Sequence, residues 1–296
     1  MEERRAFPSL ERALIALAGM YVGLNGLSLL LSGLIRMLSA RGIVISSVLL
    51  YACSAGVELL CVGLPAVLWA RRGERHAVGA VRHDALEPDR AAAILLAAVT
   101  SVPLLNVLSA LWCALLDAAG IAYSQGMAVP ERMGEIIACL LTTAVVAPVC
   151  EEEFFRGRLF AALETLGTRR AIGLSTVFFA LLHGNIGALP VHLCVGLILA
   201  LLLVRRRSLT AALLFHAGYN GATVLLAVLP TAVLEVIAPW TGYAAVVGAC
   251  ALWYALRPCA RMYVLPGGRR MSQLARAMTL TLLAAFALPY LFAVIL

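Results

Sequence analysis

The chain alternates long apolar runs with short polar connectors, and the runs recur at the length a membrane-crossing helix needs, about 20 residues. Nine such runs can be marked: Ala13–Ile35, Ile43–Ala70, Ala91–Ala119, Met133–Glu164, Ala171–His183, Pro190–Val204, Leu209–Leu229, Ala232–Leu256 and Ala275–Leu296. The fifth and sixth are short, and Gly184, Gly187 and Pro190 between them allow either two short spans or one bent unit. The first run is too long, and too like the others, for a cleaved signal peptide. No repeat or low-complexity segment interrupts the series. The pattern predicts an all-α, polytopic transmembrane helical bundle of about eight or nine spans.

Composition supports lipid as the solvent. The 296 residues are 62% hydrophobic and 13% charged, against about 25% charged in soluble proteins. The net charge of +7 is carried by arginine, since the chain has no lysine. Segments 1–12, 71–90, 156–170, 205–208 and 257–276 hold nineteen arginines besides Arg156, whereas the opposite connectors hold only Arg36, Arg41 and Arg132. The positive-inside rule then places the N-terminus in the cytoplasm and, with nine spans, the C-terminus outside. Short arginine groups between apolar runs fit topology control, not nucleic-acid binding, which needs a basic cluster on a soluble element. The lysine-free, alanine-rich composition hints at a GC-rich bacterial genome and so at a bacterial cell membrane. None of the eight cysteines forms a C-x-x-C or zinc-like spacing, so they read as reduced small hydrophobes.

Ionisable residues inside such runs are costly, roughly 2.5–3.5 kcal/mol at the bilayer centre, and tend to mark sites. Three clusters qualify. Glu151-Glu152-Glu153 and Arg156 interrupt the fourth run. On a continuous helix Glu152 and Arg156 share a face, Glu151 points 100° away, and Glu153 turns toward cytoplasmic water. The plain alternative is that the helix ends there, with three solvated acids. In the fifth run Phe179 stacks one turn from His183; a lone interfacial histidine would be equally consistent. In the seventh, His216 and Asn220 project from one face and could instead be interhelical hydrogen-bond glue. His192, isolated at the start of a span, reads as a bland polar residue. Together the clusters supply a base, a proton shuttle and an oxyanion stabiliser, a complement suited to hydrolysis.

The ordered trio Glu151-Glu152-…-Arg156, Phe179-…-His183 and His216-…-Asn220 resembles the CPBP intramembrane proteases (CAAX proteases and bacteriocin-processing proteins, the Abi family), whose pattern is E-E-x-x-x-R, F-x-x-x-H, H-x-x-x-N/D. The likeness covers about residues 135–228. It divides the single membrane domain into N-terminal spans (1–130), a CPBP-like catalytic core of four helices (131–230) and C-terminal spans (231–296). It implies a cofactor-free glutamate endopeptidase similar to the CAAX prenyl protease. Glu151 would be the general base, His183 would hold the attacking water, and His216 and Asn220 would stabilise the oxyanion. Glu152 and Arg156 would be a structural pair. The resemblance and the flanking arginines both place the site toward the cytoplasmic half. A buried carboxylate becomes a useful base near neutral pH, so activity should not be flat between about pH 5 and 9.

Other readings stay open. Zinc could be held by Glu151, His183 and His216, although no H-E-x-x-H helix is present. A thiol mechanism on Cys150 and His183 is disfavoured by the apolar surroundings. A proton-coupled transporter would also use intramembrane Glu and His, but no paired broken-helix repeats are visible. A non-catalytic scaffold or bacteriocin-immunity protein is the remaining alternative. The implied partners are membrane lipid and a peptide or protein substrate, with a lipidated protein and a leader peptide equally compatible.

Overall fold

The computed structural model describes residues 10–71, 86–124, 129–257 and 271–295. Several counted arginines (4, 5, 72, 75, 82, 261, 269 and 270) and Cys259 lie outside them. A chain crossing lipid must satisfy every backbone group internally. Accordingly the described residues form helices and no strand. In chain order these are α1 Leu10–Ala40, α2 Ser47–Leu68, α3 Pro88–Ala118, α4 Met133–Leu166, α5 Thr168–Leu182, α6 Leu189–Arg206, α7 Leu209–Ala227, α8 Thr231–Ala255 and α9 Gln273–Ile295. All except α5 and α9 are, by length and apolarity, able to cross a membrane. With 15 residues, α5 is about 22 Å long, short of the roughly 30 Å hydrocarbon layer. This is an integral membrane protein built as a polytopic helical bundle.

The outer surface is apolar: Leu29 and Leu30 are 70% and 72% exposed, as lipid-facing residues should be. Inside, α3 packs along α8 and α7, α5 against α6, α2 against α4, and α1 against α9. The fifth and sixth apolar runs are two separate helices. The chain reverses between them at Gly184, whose φ of +60° suits glycine.

Two helices change pitch where it matters. α2 is π-helical over Leu59–Gly63 and α4 over Leu141–Val146 and again over Phe155–Leu159. Pro65 and Pro148 follow the first two stretches closely. A proline lacks the N–H donor and its ring crowds the carbonyl four residues back, so a wider turn just upstream relieves both. The helix carrying Glu151 therefore continues to Leu166 and does not end at the acidic cluster.

One end of the bundle is tied by arginines. The Arg90 guanidinium donates to the Tyr254 carbonyl (2.6 Å), Arg206 pairs with Glu87 (3.9 Å), and Arg207 pairs with the buried Glu164 (3.4 Å). These contacts bring the arginine-bearing ends of α3, α6 and α8 to one side, as the charge pattern requires. At the other end Trp112 donates its indole N–H to the Ile186 carbonyl (2.7 Å).

Candidate active site

The three polar clusters meet. Arg156 and Glu152 are both buried, at 0% and 1% exposure, and their side chains pair at 3.1 Å across one turn of α4. Such a pair needs further partners to offset desolvation. Arg156 also donates to the Gly196 carbonyl of α6 (3.2 Å) and lies 4.3 Å over the Phe179 ring. Gly196 suits this close approach, because a Cβ would sit 3.0 Å from the Phe179 ring and the ring would have to give by a few tenths of an ångström. Glu152 in turn accepts from His216 Nδ1 at 2.9 Å. The arginine pair thus fixes the first histidine as well as its own helix.

With Nδ1 bound to a carboxylate, His216 turns Nε2 toward Glu151, whose Oε2 is 3.9 Å away. His183 is fixed differently. Its Nδ1 lies 2.8 Å from the Phe179 carbonyl, which can only accept, so Nδ1 carries the proton. In the neutral ring Nε2 then presents a lone pair. Phe179 wedges between the histidines, edge-on to both at 4.9 and 5.7 Å. Asn220 donates to the Thr143 carbonyl at 2.8 Å. That carbonyl lies in the π-helical stretch above Pro148, where the ordinary ladder is interrupted. The second amide hydrogen of Asn220 is left for another acceptor.

Glu151, His183, His216 and Asn220 line one cavity of about 450 Å³. Glu152 and Arg156 lie behind its wall. Glu153 is half-buried and lines a different groove of about 650 Å³ with Arg158 and Cys150, on the α2 side of α4. Cys150 and His183 therefore face separate spaces, and the thiol alternative loses its geometry. Among the described residues, no three His, Cys, Asp or Glu side chains are grouped to hold a metal ion; the set Glu151, His183 and His216 shares a cavity without forming a ligand cage.

Residues 133–222 match the family model for type II CAAX prenyl endopeptidase Rce1-like proteins. Over that segment the chain is similar to those proteins. The chain matches no curated protein and no solved structure. The Rce1-like segment runs from the start of α4 into α7 and contains all three motifs.

Sequence reasoning undervalued one residue and missed three. His192, read as bland, stacks on His183 with ring centroids 3.9 Å apart and lines the cavity. Its signal was weak because nothing in the chain lies in register with it. Asn106 and Ser109 of α3 line the cavity from outside the Rce1-like segment. Glu58 of α2 buries Oε1 without a hydrogen-bond partner and stands within electrostatic reach of Glu151. A lone carboxylate in the run Ile43–Ala70 was a signal available by cost alone.

The stack gives a measurable expectation for His192. An aromatic pair contributes about 0.5–1.5 kcal/mol beyond burial, so His192→Ala should lower kcat roughly 2- to 12-fold through a looser His183. His192→Phe, which keeps a stacking ring, should retain most of the turnover. Steady-state kinetics that separate kcat from KM check this.

Proposed function

We propose that this protein is an intramembrane glutamate endopeptidase, CAAX prenyl protease-like in its chemistry. The observation that carries the reading is the convergence of Glu151, His183, His216 and Asn220 on one cavity, above a buried Glu152–Arg156 pair that holds His216. A water between the Glu151 carboxylate and His183 Nε2 gives one proton to Glu151 as its oxygen attacks the scissile carbonyl. The carbonyl oxygen becomes an oxyanion and accepts from the free Asn220 N–H and, when the ring carries both protons, from His216 Nε2. Glu151 then returns the proton to the departing amine, which breaks the C–N bond and restores the carboxylate.

Oxyanion donors are worth about 10²–10³ in kcat. Asn220→Ala should therefore reduce kcat by about that factor with little change in KM. A loss confined to the tie with Thr143 would instead appear in thermal unfolding. The reading as a whole is tested by incubating purified protein with a panel of membrane-embedded, lipidated and leader-type peptides, wild type beside Glu151→Gln, with and without a zinc chelator. Cleavage that vanishes in the variant and ignores the chelator supports the glutamate mechanism. Cleavage abolished by chelator and restored by zinc would replace it with the metal mechanism, and equal cleavage by both proteins would remove Glu151 as base.

A further inference from the structure

His183 caps the C-terminal end of α5, where a helix runs out of its own N–H donors. Carbonyls of a last turn lack intrahelical partners, and in an apolar surrounding each must find another. The Phe179 carbonyl takes the Nδ1 proton of His183 at 2.8 Å. The next two carbonyls of the same turn, Ala180 and Leu181, take the hydroxyl proton of Tyr290, at 3.0 and 3.3 Å. Tyr290 is buried and lies on α9, 110 residues from Ala180 along the chain. Beyond the turn, Gly184 reaches back to the Leu181 carbonyl (3.2 Å), and Trp112 of α3 holds the Ile186 carbonyl (2.7 Å). Leu116, Ile186 and Tyr290 form a small apolar cluster of their own, with Trp112 and Leu181 packed against it. The connection from His183 to His192 is thus gripped between α3 and α9.

We infer that Tyr290 is a positioning residue for His183: through the last turn of α5 its hydroxyl sets the direction and tautomer of the imidazole. Consecutive carbonyls of one helical turn move together, so fixing Ala180 and Leu181 also fixes the Phe179 carbonyl between them and the ring. That carbonyl can only accept, which keeps the proton on Nδ1 and leaves Nε2 as the acceptor facing the cavity. Without the hydroxyl the Phe179 carbonyl can turn, and the ring is free to swing or to move its proton to Nε2. Tyr290 lies outside the Rce1-like segment 133–222, so a C-terminal helix that carries none of the three motifs takes part in the geometry of the site. The use of His183 in turnover rests on the proposed protease reading; the hold on its ring does not.

Tyr290→Phe keeps the ring and its apolar cluster and removes only the hydroxyl. Tyr21→Phe is the control, because the Tyr21 hydroxyl donates to the Ala285 carbonyl of the same helix α9 (3.1 Å), away from the α5–α6 turn. Each variant loses one hydroxyl–carbonyl bond, so both should soften thermal unfolding alike and only a local effect separates them. Full-length protein carrying isotope-labelled histidine reports the His183 tautomer by nitrogen NMR, with His183→Gln assigning the signal. Wild type and Tyr21→Phe should show the single Nδ1-protonated form, and Tyr290→Phe a mixture of tautomers. On a cleaved peptide, Tyr290→Phe should lower kcat roughly 2- to 12-fold, the worth of one hydrogen bond, with KM unchanged. Tyr21→Phe should keep the wild-type kcat. A wild-type His183 signal in Tyr290→Phe, or the same mixture in Tyr21→Phe, overturns the inference. The nitrogen signal needs no substrate, so failure of the protease reading and failure of this one are told apart.

Discussion

Glu151→Gln is expected to lower cleavage by about 10²–10⁴-fold, the usual contribution of a positioned general base, without changing thermal stability. Glutamine keeps the size of glutamate and can still hold a water, but it cannot take that water's proton. Glu151 is not part of the pair that closes the bundle: its Oε2 stands 3.9 Å from His216 Nε2, beyond hydrogen-bond reach, whereas Glu152 makes the close contacts at 2.9 and 3.1 Å. Loss of turnover with an unchanged unfolding curve is therefore the signature to look for. A matching loss of stability would instead assign Glu151 a structural role. Glu152→Gln is the natural comparison, since it should disturb both folding and activity through Arg156 and His216.

The second large effect concerns stability. Arg156→Ala should destabilise the fold by about 3–5 kcal/mol, because removing one member of a buried ion pair strands the other charge. Glu152 would keep His216 as a partner, which puts the expected loss at the lower end of that range. Arg156 also gives up its bond to the Gly196 carbonyl and its contact with Phe179, so α4, α5 and α6 lose a common anchor. Arg156→Lys should recover only part of the loss, since a point charge cannot replace a planar fork that serves two acceptors and an aromatic face. Thermal unfolding in detergent measures all three proteins. A wild-type unfolding midpoint for Arg156→Ala would overturn the account of the buried pair.

Much of this site could be read from spacing. Four-residue separations place Glu152 with Arg156, Phe179 with His183 and His216 with Asn220, because a helix returns to the same face after about one turn. Each pair does share a face or a contact. The cost of burying charge then marked the three clusters as worth attention in an apolar chain. Glu58 carries the same burial cost, and Asn106 has Ser109 three residues on along α3, whereas His192 has no periodic partner to draw notice. Their importance comes from helices that are distant in sequence and adjacent in space.

The sequence by itself determined that the chain lives in lipid and that its fold is a helical bundle, and it marked the polar residues on α4, α5 and α7 that fall in the segment similar to the Rce1-like proteins. These follow from local rules, namely hydropathy over a span and side-chain period along a helix, and they need no knowledge of packing. Only the tertiary structure decided that Glu152 rather than Glu151 holds His216, that His192 backs His183, and that Cys150 faces a separate groove. Those outcomes depend on the rotation and depth of one helix against another. Close packing of Phe155, Phe179 and Gly196, together with the π-helical turns above Pro148 and after Phe154, sets both, and hydropathy does not encode that geometry.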